Sequence, residues 1–388
     1  MPISKQSRVL VYVQHLLGVG HLQRALQLAR TLEQHDFGVA LVSGGKPHTM
    51  TQSATFPVYQ LAPLYSADGS FKRLLDANGK PVDDSWREAR RQHLLGLFDD
   101  FKPQVLITET FPFGRRMLRS ELLPLLQASR DSKDCRLVIA SIRDILQPKS
   151  MPERVDETCN WFDTYYDRVI VHGDARIAGI GDSFAGAERL GDRVYYSGYL
   201  CAQAGSSPSG DTGYNEVLVS AGGSATGLAI MQAAIAAKPL SEFAHLRWRL
   251  LVSPAIAAAD YARLQELADE GTCVERNRPD FSELVKRARL SISQAGYNTM
   301  TDVLNSTTAS VVIPFAEAEE IEQSLRARAL HQRGRVIALA QQDLNPTRLA
   351  AAMAAARDNC RPIDVDLDGA ANSAAMIRQW LDATGTRP

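Results

Sequence analysis

Along the first half of the chain, short apolar runs rich in β-branched residues alternate with longer stretches whose apolar positions recur every three or four residues. Arg8–Val13 (RVLVYV) predicts a strand. Residues 21–34, with Leu22, Ala25, Leu26 and Ala29 on one face, predict a helix. Residues 38–42 return to a strand that ends at Ser43-Gly44-Gly45. The same reading gives a helix over 85–101, a strand over 104–108 ending at Glu109, and a helix over 118–129. It then gives a strand over 137–140 ending at Ser141-Ile142-Arg143-Asp144, and one over 169–171 ending at His172-Gly173-Asp174. Strands separated by helices predict a parallel, doubly wound sheet. Segment 60–84 is irregular and carries a tight turn at Ala77-Asn78-Gly79-Lys80.

Residues 202–213 (AQAGSSPSGDTG) have almost no apolar content and read as a linker. The alternation then restarts. Strands are expected over 216–220 and 248–252, a short one over 273–275, and helices over 226–237 and 257–268. The stretch 290–336 reads as a strand, the turn Ser293-Gln294-Ala295-Gly296, a helix, a strand ending at Pro314-Phe315, and a polar helix carrying Glu322 and Gln323. Asn298 or Thr299 is the expected helix cap there. An Ala-rich helix over 346–357 and a last helix over 370–383 complete the pattern.

A length of 388 residues accommodates two or three domains. A net charge of −1 excludes a global attraction to nucleic acid or anionic lipid. The five cysteines, Cys135, Cys159, Cys201, Cys273 and Cys360, are scattered and fit free thiols in a reducing cytosol. The first residues lack the apolar core of a signal peptide, and no apolar run approaches the roughly 18 residues of a spanning helix.

Chemistry concentrates at strand ends, where doubly wound sheets hold ligands. Gly18-Val19-Gly20-His21 follows the first strand. The glycines allow a tight turn, and His21 at a helix start, where the dipole disfavours its charged form, can serve as a base or stand as a surface residue at the helix cap. Leu22 and Gln23 break the dinucleotide fingerprint. Glu109-Thr110-Phe111-Pro112-Phe113-Gly114-Arg115-Arg116 places an acid, aromatics and two arginines at another strand end; the arginines can take phosphate or form one solvated edge. Arg143-Asp144 stands at a third. In the second half, Gly222-Gly223-Ser224 and its neighbours can ring an anion with backbone N–H groups, yet no Walker lysine follows. Ser293 and Gly296 form the second turn, and Asp302 on the next helix can accept two vicinal hydroxyls or simply complement the helix dipole. Glu322 and Gln323 can bond sugar hydroxyls or stand on a solvated face. Asp364-Val365-Asp366 is poorly placed for a metal, and no catalytic metal is expected.

These residues resemble the family 28 glycosyltransferases of GT-B fold, whose familiar member is the peptidoglycan lipid-intermediate N-acetylglucosaminyltransferase. The resemblance rests on Gly20-His21, on Gly222-Gly223-Ser224, on Ser293-Gln294-Ala295-Gly296 with Asp302, and on Pro314-Phe315 with Glu322-Gln323. GHLQRA and ETFPFGRR are similar to bacterial predicted glycosyltransferases. Two departures stand out: Glu322 replaces the usual Gln, and Ser197-Gly198-Tyr199-Leu200 offers no counterpart to the family's hinge arginine.

The resemblance implies an α/β, GT-B architecture of two Rossmann-like, doubly wound parallel-sheet domains facing a cleft. An acceptor domain is expected over 1–200, a linker over 201–214, a donor domain over 215–369, and a helix over 370–388 crossing back to the N-terminal domain. It implies a metal-independent, inverting transfer from a nucleotide diphosphate sugar, UDP-linked, to a saccharide or lipid-linked acceptor of the cell envelope. No cofactor is expected beyond that co-substrate. His21 or Glu109 would be the base. Gly222, Gly223, Ser224, Asn277, Ser293, Gly296, Asn298, Thr299, Asp302, Glu322 and Gln323 would hold the donor. Gly18, Gly20, Arg115, Arg116, Arg143 and Asp144 would hold the acceptor. A cytoplasmic place with peripheral contact at the inner membrane face follows. The start Gly18, Gly20, His21, Arg24 also resembles the UDP-sugar hydrolase of pseudaminic acid synthesis, in which water replaces the acceptor. A non-catalytic nucleotide-sugar-binding protein is the third reading.

Overall fold

The computed structural model describes residues 6–66, 73–147, 151–201, 207–222, 227–316 and 321–383. The chain divides into two compact units. The first holds residues 1–175, 179–200 and 368–388; the second holds 176–178 and 201–367. The described part of the expected linker therefore groups with the second unit, as do residues 176–178.

The first unit contains β1 (Arg8–Val13), α1 (Gly20–Gln34), β2 (Gly38–Ser43), β3 (Val58–Gln60), β4 (Tyr65–Ser66), β5 (Leu74–Leu75), α2 (Asp84–Phe101), β6 (Val105–Glu109), α3 (Arg119–Asp131), β7 (Leu137–Arg143), α4 (Pro152–Tyr165), β8 (Arg168–His172), α5 (Ala187–Leu190) and β9 (Val194–Tyr196). Its sheet runs β3-β2-β1-β6-β7-β8-β9 and every pairing in it is parallel. β1 and β6 read as continuous apolar runs because both faces of a central parallel strand are covered. Strand order reverses between β1 and β6, so the crevice beyond their carboxyl ends is the place for a ligand.

Sequence and structure differ in a few places. β7 continues through Arg143 because Ser141, Ile142 and Arg143 pair along the sheet. α4 escapes a periodicity search, since PERVDETCNWFDTY is rich in weak helix formers; Pro152 at its first turn and buried Thr158, Cys159 and Phe162 stabilise it. The irregular segment after residue 60 carries an antiparallel pair, β4 with β5. Its turn is built by Asp76, whose side chain accepts from the N–H groups of Asn78 and Lys80, with Gly79 at φ +76°.

The second unit contains β10 (Val217–Ser220), α6 (Leu228–Ala237), β11 (Trp248–Val252), α7 (Ala258–Leu267), β12 (Thr272–Arg276), α8 (Phe281–Arg287), β13 (Leu290–Ser293), α9 (Tyr297–Leu304), β14 (Ala309–Val312), α10 (Glu322–Gln332), β15 (Ile337–Ala338) and α11 (Pro346–Asn359). The order β12-β11-β10-β13-β14-β15 is again parallel and reverses between β10 and β13. Residues 207–214, within the expected linker, form turns tied to α8. Arg287 donates to the carbonyls of Pro208, Gly210 and Thr212 and lies over the Tyr214 ring.

The last helix, α12 (Gly369–Ala383), belongs to the first unit and packs on α1. A Cβ at Gly369 would meet the carbonyl oxygen of Gly198 at 2.3 Å, so only glycine permits that approach. Ala374, Ile377, Trp380 and Leu381 join the buried cluster of Leu22, Leu26 and Leu32. Among the described residues no helix is long and apolar enough to cross a membrane.

Candidate active site

The switch point of the first sheet brings together the end of β6 and the start of α1. Glu109 closes β6 and is 3% exposed. The α1 amino end has no side-chain cap and no acid in its first turn, which leaves its dipole free for an anion. His21, one residue into α1, places Nδ1 2.8 Å from Glu109 Oε2 and 3.0 Å from Oε1. Arg24, one turn on, donates from Nη2 to Glu109 Oε1 at 2.6 Å, and Thr110 Oγ1 donates to Oε2 at 2.8 Å. A buried carboxylate is tolerable only when paired in this manner.

The far edge of the imidazole fixes its protonation. Arg115 Nη2 lies 2.8 Å from His21 Nε2. A guanidinium has donors only, so Nε2 must be the acceptor, and the ring proton sits on Nδ1 facing Glu109. His21 is therefore neutral. Burial, with Arg115 and Arg24 adding to it against the pull of Glu109, lowers its pKa to about 3. For Glu109, burial favours the neutral acid, but the opposing pull of His21, Arg24 and Arg115 wins and holds it well below the usual carboxylate range. We take Arg24 and Arg115 as the cations that ionise it, since His21 is neutral.

The β6–α3 loop aims these groups at the cost of backbone strain. Thr110 adopts φ +71° and Arg115 φ +59°, both left-handed for residues with a Cβ. Thr110 N–H donates to the Ser141 carbonyl at 2.8 Å, and Gly114 N–H to the Thr110 carbonyl at 3.0 Å. A Cβ at Gly114 would meet Thr110 Cγ2 at 2.6 Å, so the loop closes only with glycine there. The two arginines of the loop part company. Arg115 turns inward, whereas Arg116 is exposed and pairs with Glu157 on α4.

Gly18 has nothing within 4 Å of a hypothetical Cβ, and Gly20 opens α1. Asp144 is buried, with Oδ1 accepting from Ile145 N–H at 2.8 Å; Arg143, half-buried, ends β7. Next to them runs a chain that sequence reasoning did not assemble. His172 Nε2 lies 2.8 Å from Ser141 Oγ, and Nδ1 lies 2.9 Å from Ser197 Oγ. Burial lowers the His172 pKa to about 3. Arg24 entered the sequence reading only within the Gly18, Gly20, His21, Arg24 start and without a role; its signal is a charge three residues after His21 on an otherwise apolar helix face.

In the second unit, the turns after β10 and β13 meet the same requirement. Gly222 sits at φ +71°. Gly223 and Ser224 lie outside the described residues. Asn277, exposed, donates from Nδ2 to the Gly222 carbonyl at 3.0 Å, so two candidates distant in sequence do converge. Ser293 pairs with Ser220 in the sheet, and its hydroxyl is buried without a hydrogen-bond partner among the described residues.

The expected cap of α9 is corrected. Gly296 is the N-cap residue and no side chain caps it, because Asn298 and Thr299 already lie inside the helix. Gly296 has φ −64°, and a Cβ there would meet nothing within 4 Å. Neither backbone nor packing demands glycine; its effect is to leave room. Asp302 is 8% exposed, in the second turn of α9. Burial raises its pKa to about 7, against a hydrogen bond from Ser282 and the charge of Lys286 on α8. Glu322 pairs with Arg326 at 2.8 Å, and Arg326, fully buried, also donates to the Ala295 carbonyl at 2.9 Å. Gln323 Oε1 accepts from Phe315 N–H at 3.0 Å. Glu322 and Gln323 are thus tied to the turns ending β13 and β14, not spread on a solvated face.

Two parallel, doubly wound units, each with candidate residues at its own switch point, define a GT-B protein. More particularly, residues 217–364 match the glycosyltransferase family 28 C-terminal domain. A UDP-N-acetylglucosamine--N-acetylmuramyl-(pentapeptide) pyrophosphoryl-undecaprenol N-acetylglucosamine transferase of Syntrophotalea carbinolica is 32% identical over 94 residues, 24% of this chain and 26% of that one. Its counterpart from Rhodopseudomonas palustris is 31% identical over 105 residues, 26% and 28% of the two chains. The chain thus spans about a quarter of the length of the curated relatives it matches. Among solved structures, MurG of Acinetobacter baumannii has a TM-score of 0.59 at 14% identity, covering 96% of this chain and 99% of that one. The spinosyn rhamnosyltransferase SpnG with thymidine diphosphate has a TM-score of 0.64 at 14% identity, covering 97% and 100%. The calicheamicin glycosyltransferase CalG4 has a TM-score of 0.61 at 14% identity, covering 98% of each chain.

Proposed function

We propose that the protein is an inverting glycosyltransferase that moves a sugar from a nucleotide diphosphate sugar, UDP-linked, to a lipid-linked or saccharide acceptor of the cell envelope. One observation carries the reading: a neutral histidine at a helix start, oriented by a buried, ionised Glu109. His21 Nε2 takes the acceptor hydroxyl proton as that oxygen attacks the anomeric carbon, and Glu109 stabilises the imidazolium that results. The nucleotide diphosphate departs from the opposite face.

The second unit is the donor side. Gly222, with Gly223 and Ser224, and the α9 amino end at Gly296 receive the diphosphate, whose charge suits a helix start. Asp302 accepts the ribose hydroxyls, Asn277 flanks the base, and Glu322 and Gln323 face the sugar. The family match over 217–364 and the unpartnered Ser293 hydroxyl support this reading. Gly18, Gly20 and the Arg115, Arg116, Arg143 and Asp144 rim receive the acceptor. Helix ends, in place of a divalent ion, stabilise the leaving group. The enzyme works at the cytoplasmic face of the membrane.

The Gly18, Gly20, His21, Arg24 arrangement favours one other reading, hydrolysis of the nucleotide sugar, because the same histidine can deprotonate water. A panel of nucleotide sugars read by thermal shift tests the donor side. A ligand at 100 times its Kd adds about 2.7 kcal/mol to folding stability. A shift with UDP-sugars and nucleotide release only with acceptor support transfer. Release without acceptor supports hydrolysis, and no shift with any nucleotide sugar removes both.

A further inference from the structure

We infer that His172 is a positioning residue for the His21–Glu109 pair, and that the Ser141–His172–Ser197 row fixes that pair by tying the loop after β6 to the start of α12. The inference rests on His21 as the base. Val105 and Ile107 of β6, Ile139 of β7 and Ile170 of β8 all enter the cluster under α1 and α12. Side chains alternate along a strand, so Glu109, Ser141 and His172 continue on that same face. Strand pairing sets Ser141 opposite Glu109 on one side and opposite Ile170 on the other. Where the apolar rows end, a buried polar row therefore begins beside the Glu109 carboxylate.

The protons of the row run one way. The Ser197 hydroxyl donates to the Gly198 carbonyl at 3.0 Å and has no second proton. His172 Nδ1–H therefore donates to Ser197 Oγ at 2.9 Å, and Nε2 accepts the Ser141 hydroxyl proton at 2.8 Å. Both ring nitrogens are engaged in a buried site, which specifies one arrangement where an apolar side chain would only fill space. The near end of the row holds Glu109. The Ser141 carbonyl takes Thr110 N–H at 2.8 Å, and Thr110, at φ +71°, donates from Oγ1 to Glu109 Oε2 at 2.8 Å. The far end is held by α12. Asn372 Nδ2 donates to the Ser197 carbonyl at 2.8 Å, Gly369 N–H donates to the Tyr199 carbonyl at 3.1 Å, and Gly369 packs on the Gly198 carbonyl. The same α12 packs on α1, which carries His21. One helix thus anchors both members of the pair, Glu109 through the row and His21 through α1. Loosening the row changes the geometry at His21 Nδ1 and, with it, which nitrogen of that ring holds the proton.

The test is nitrogen-15 histidine NMR of the full chain near neutral pH, with the His21 signals assigned by their loss in H21Q, alongside steady-state kinetics. Wild-type His21 gives one protonated nitrogen, Nδ1, and one bare nitrogen, Nε2. H172F fills the space without polar atoms. It draws the two His21 signals toward each other, the signature of mixed tautomers, and lowers kcat about 10- to 100-fold with KM for the nucleotide sugar unchanged. H172Q returns an acceptor to Ser141 and restores part of both. S197A cuts the row on the α12 side and shifts the signals in the same direction. His21 signals unchanged in H172F, or in S197A if H172F does not fold, overturn the assignment even where the melting temperature falls. Signals that move in H172F but not in S197A overturn the hold by α12. H172Q no closer to wild type than H172F overturns the row as the path. The NMR readout needs no turnover: signals that respond in a protein that turns over no nucleotide sugar uphold the positioning role and count against the transfer reading.

Discussion

Arg24 and His21 hold one carboxylate from the same helix. The guanidinium Nη2 meets Glu109 Oε1 at 2.6 Å, while the imidazole Nδ1 meets Oε2 at 2.8 Å. Arg24 is buried and Glu109 has little other access to solvent. Removing one partner of such a pair leaves an uncompensated buried charge. R24M is expected to destabilise the first unit by about 3–5 kcal/mol, and R24M/E109Q by much less than the sum of the single changes. Urea unfolding followed at Trp86 and Trp161 measures it; additive losses would show that the pair is not coupled.

The acid side of the stability profile follows from the same site. Both His21 and Glu109 have folded pKa values below their unfolded ones. Each contributes stability that is present above its unfolded value and lost as pH falls toward its folded value. For His21 the window runs from about 6.5 down to about 3. H21Q should therefore flatten the fall in stability between pH 6.5 and 4, read by thermal melts. A profile identical to wild type would place the protonation elsewhere.

Catalysis gives the matching kinetic expectation. H21A should cut turnover on the order of 10²–10⁴-fold with nucleotide affinity nearly intact. In the wild type, the acid limb of kcat/KM should lie below the usual histidine range, since the neutral ring is the active form and its pKa in the free protein is about 3. Steady-state kinetics across pH 4–8 decide this.

Asp302 separates a donor-binding role from a purely structural one. Its pKa is raised to about 7, so its favourable contribution is complete below about 3.8 and is lost as pH rises through about 7. D302N should be at least as stable as wild type at pH 8. If the carboxylate holds the ribose, D302N also weakens nucleotide-sugar binding by about 10- to 100-fold, and wild-type affinity rises as pH passes 7. Calorimetric titration at pH 6 and 8 reads both; unchanged affinity in D302N would leave Asp302 a structural acid.

Gly296 makes the opposite kind of test. A Cβ there has φ −64° and open space around it. G296A should change stability little, because the roughly 0.4–1 kcal/mol gained by restricting the unfolded chain is offset by the poorer preference of alanine for an N-cap. If the diphosphate fills that space, the same change lowers donor affinity. A variant that folds as well as wild type and binds the donor equally tightly would move the diphosphate away from the α9 amino end.

Much of this was legible in the chain because parallel strands buried on both faces leave near-continuous apolar runs, as in RVLVYV. The two switch points follow from sheet order, and the sequence marks them through Gly18-Val19-Gly20-His21 and Glu109 in the first half and through Gly222-Gly223-Ser224 and Ser293-Gln294-Ala295-Gly296 in the second. Short edge strands such as β3 and β15 carry too few residues for a period to register. The divergence of Arg115 from Arg116 was not readable, since it depends on left-handed backbone at a residue with a Cβ. The Ser141–His172–Ser197 chain was hidden for another reason: its members come from separate strand ends that only pairing brings together.

The central claim is that this chain transfers a sugar with His21 as base. The direct measurement is the incubation of a UDP-sugar carrying a radiolabelled sugar with a bacterial envelope lipid extract and the purified protein. Label should enter the lipid fraction in step with release of the nucleotide diphosphate, and both should fall on the order of 10²-fold or more with H21A. Label that stays in the aqueous phase for every UDP-sugar, or incorporation that H21A leaves unchanged, would contradict the account.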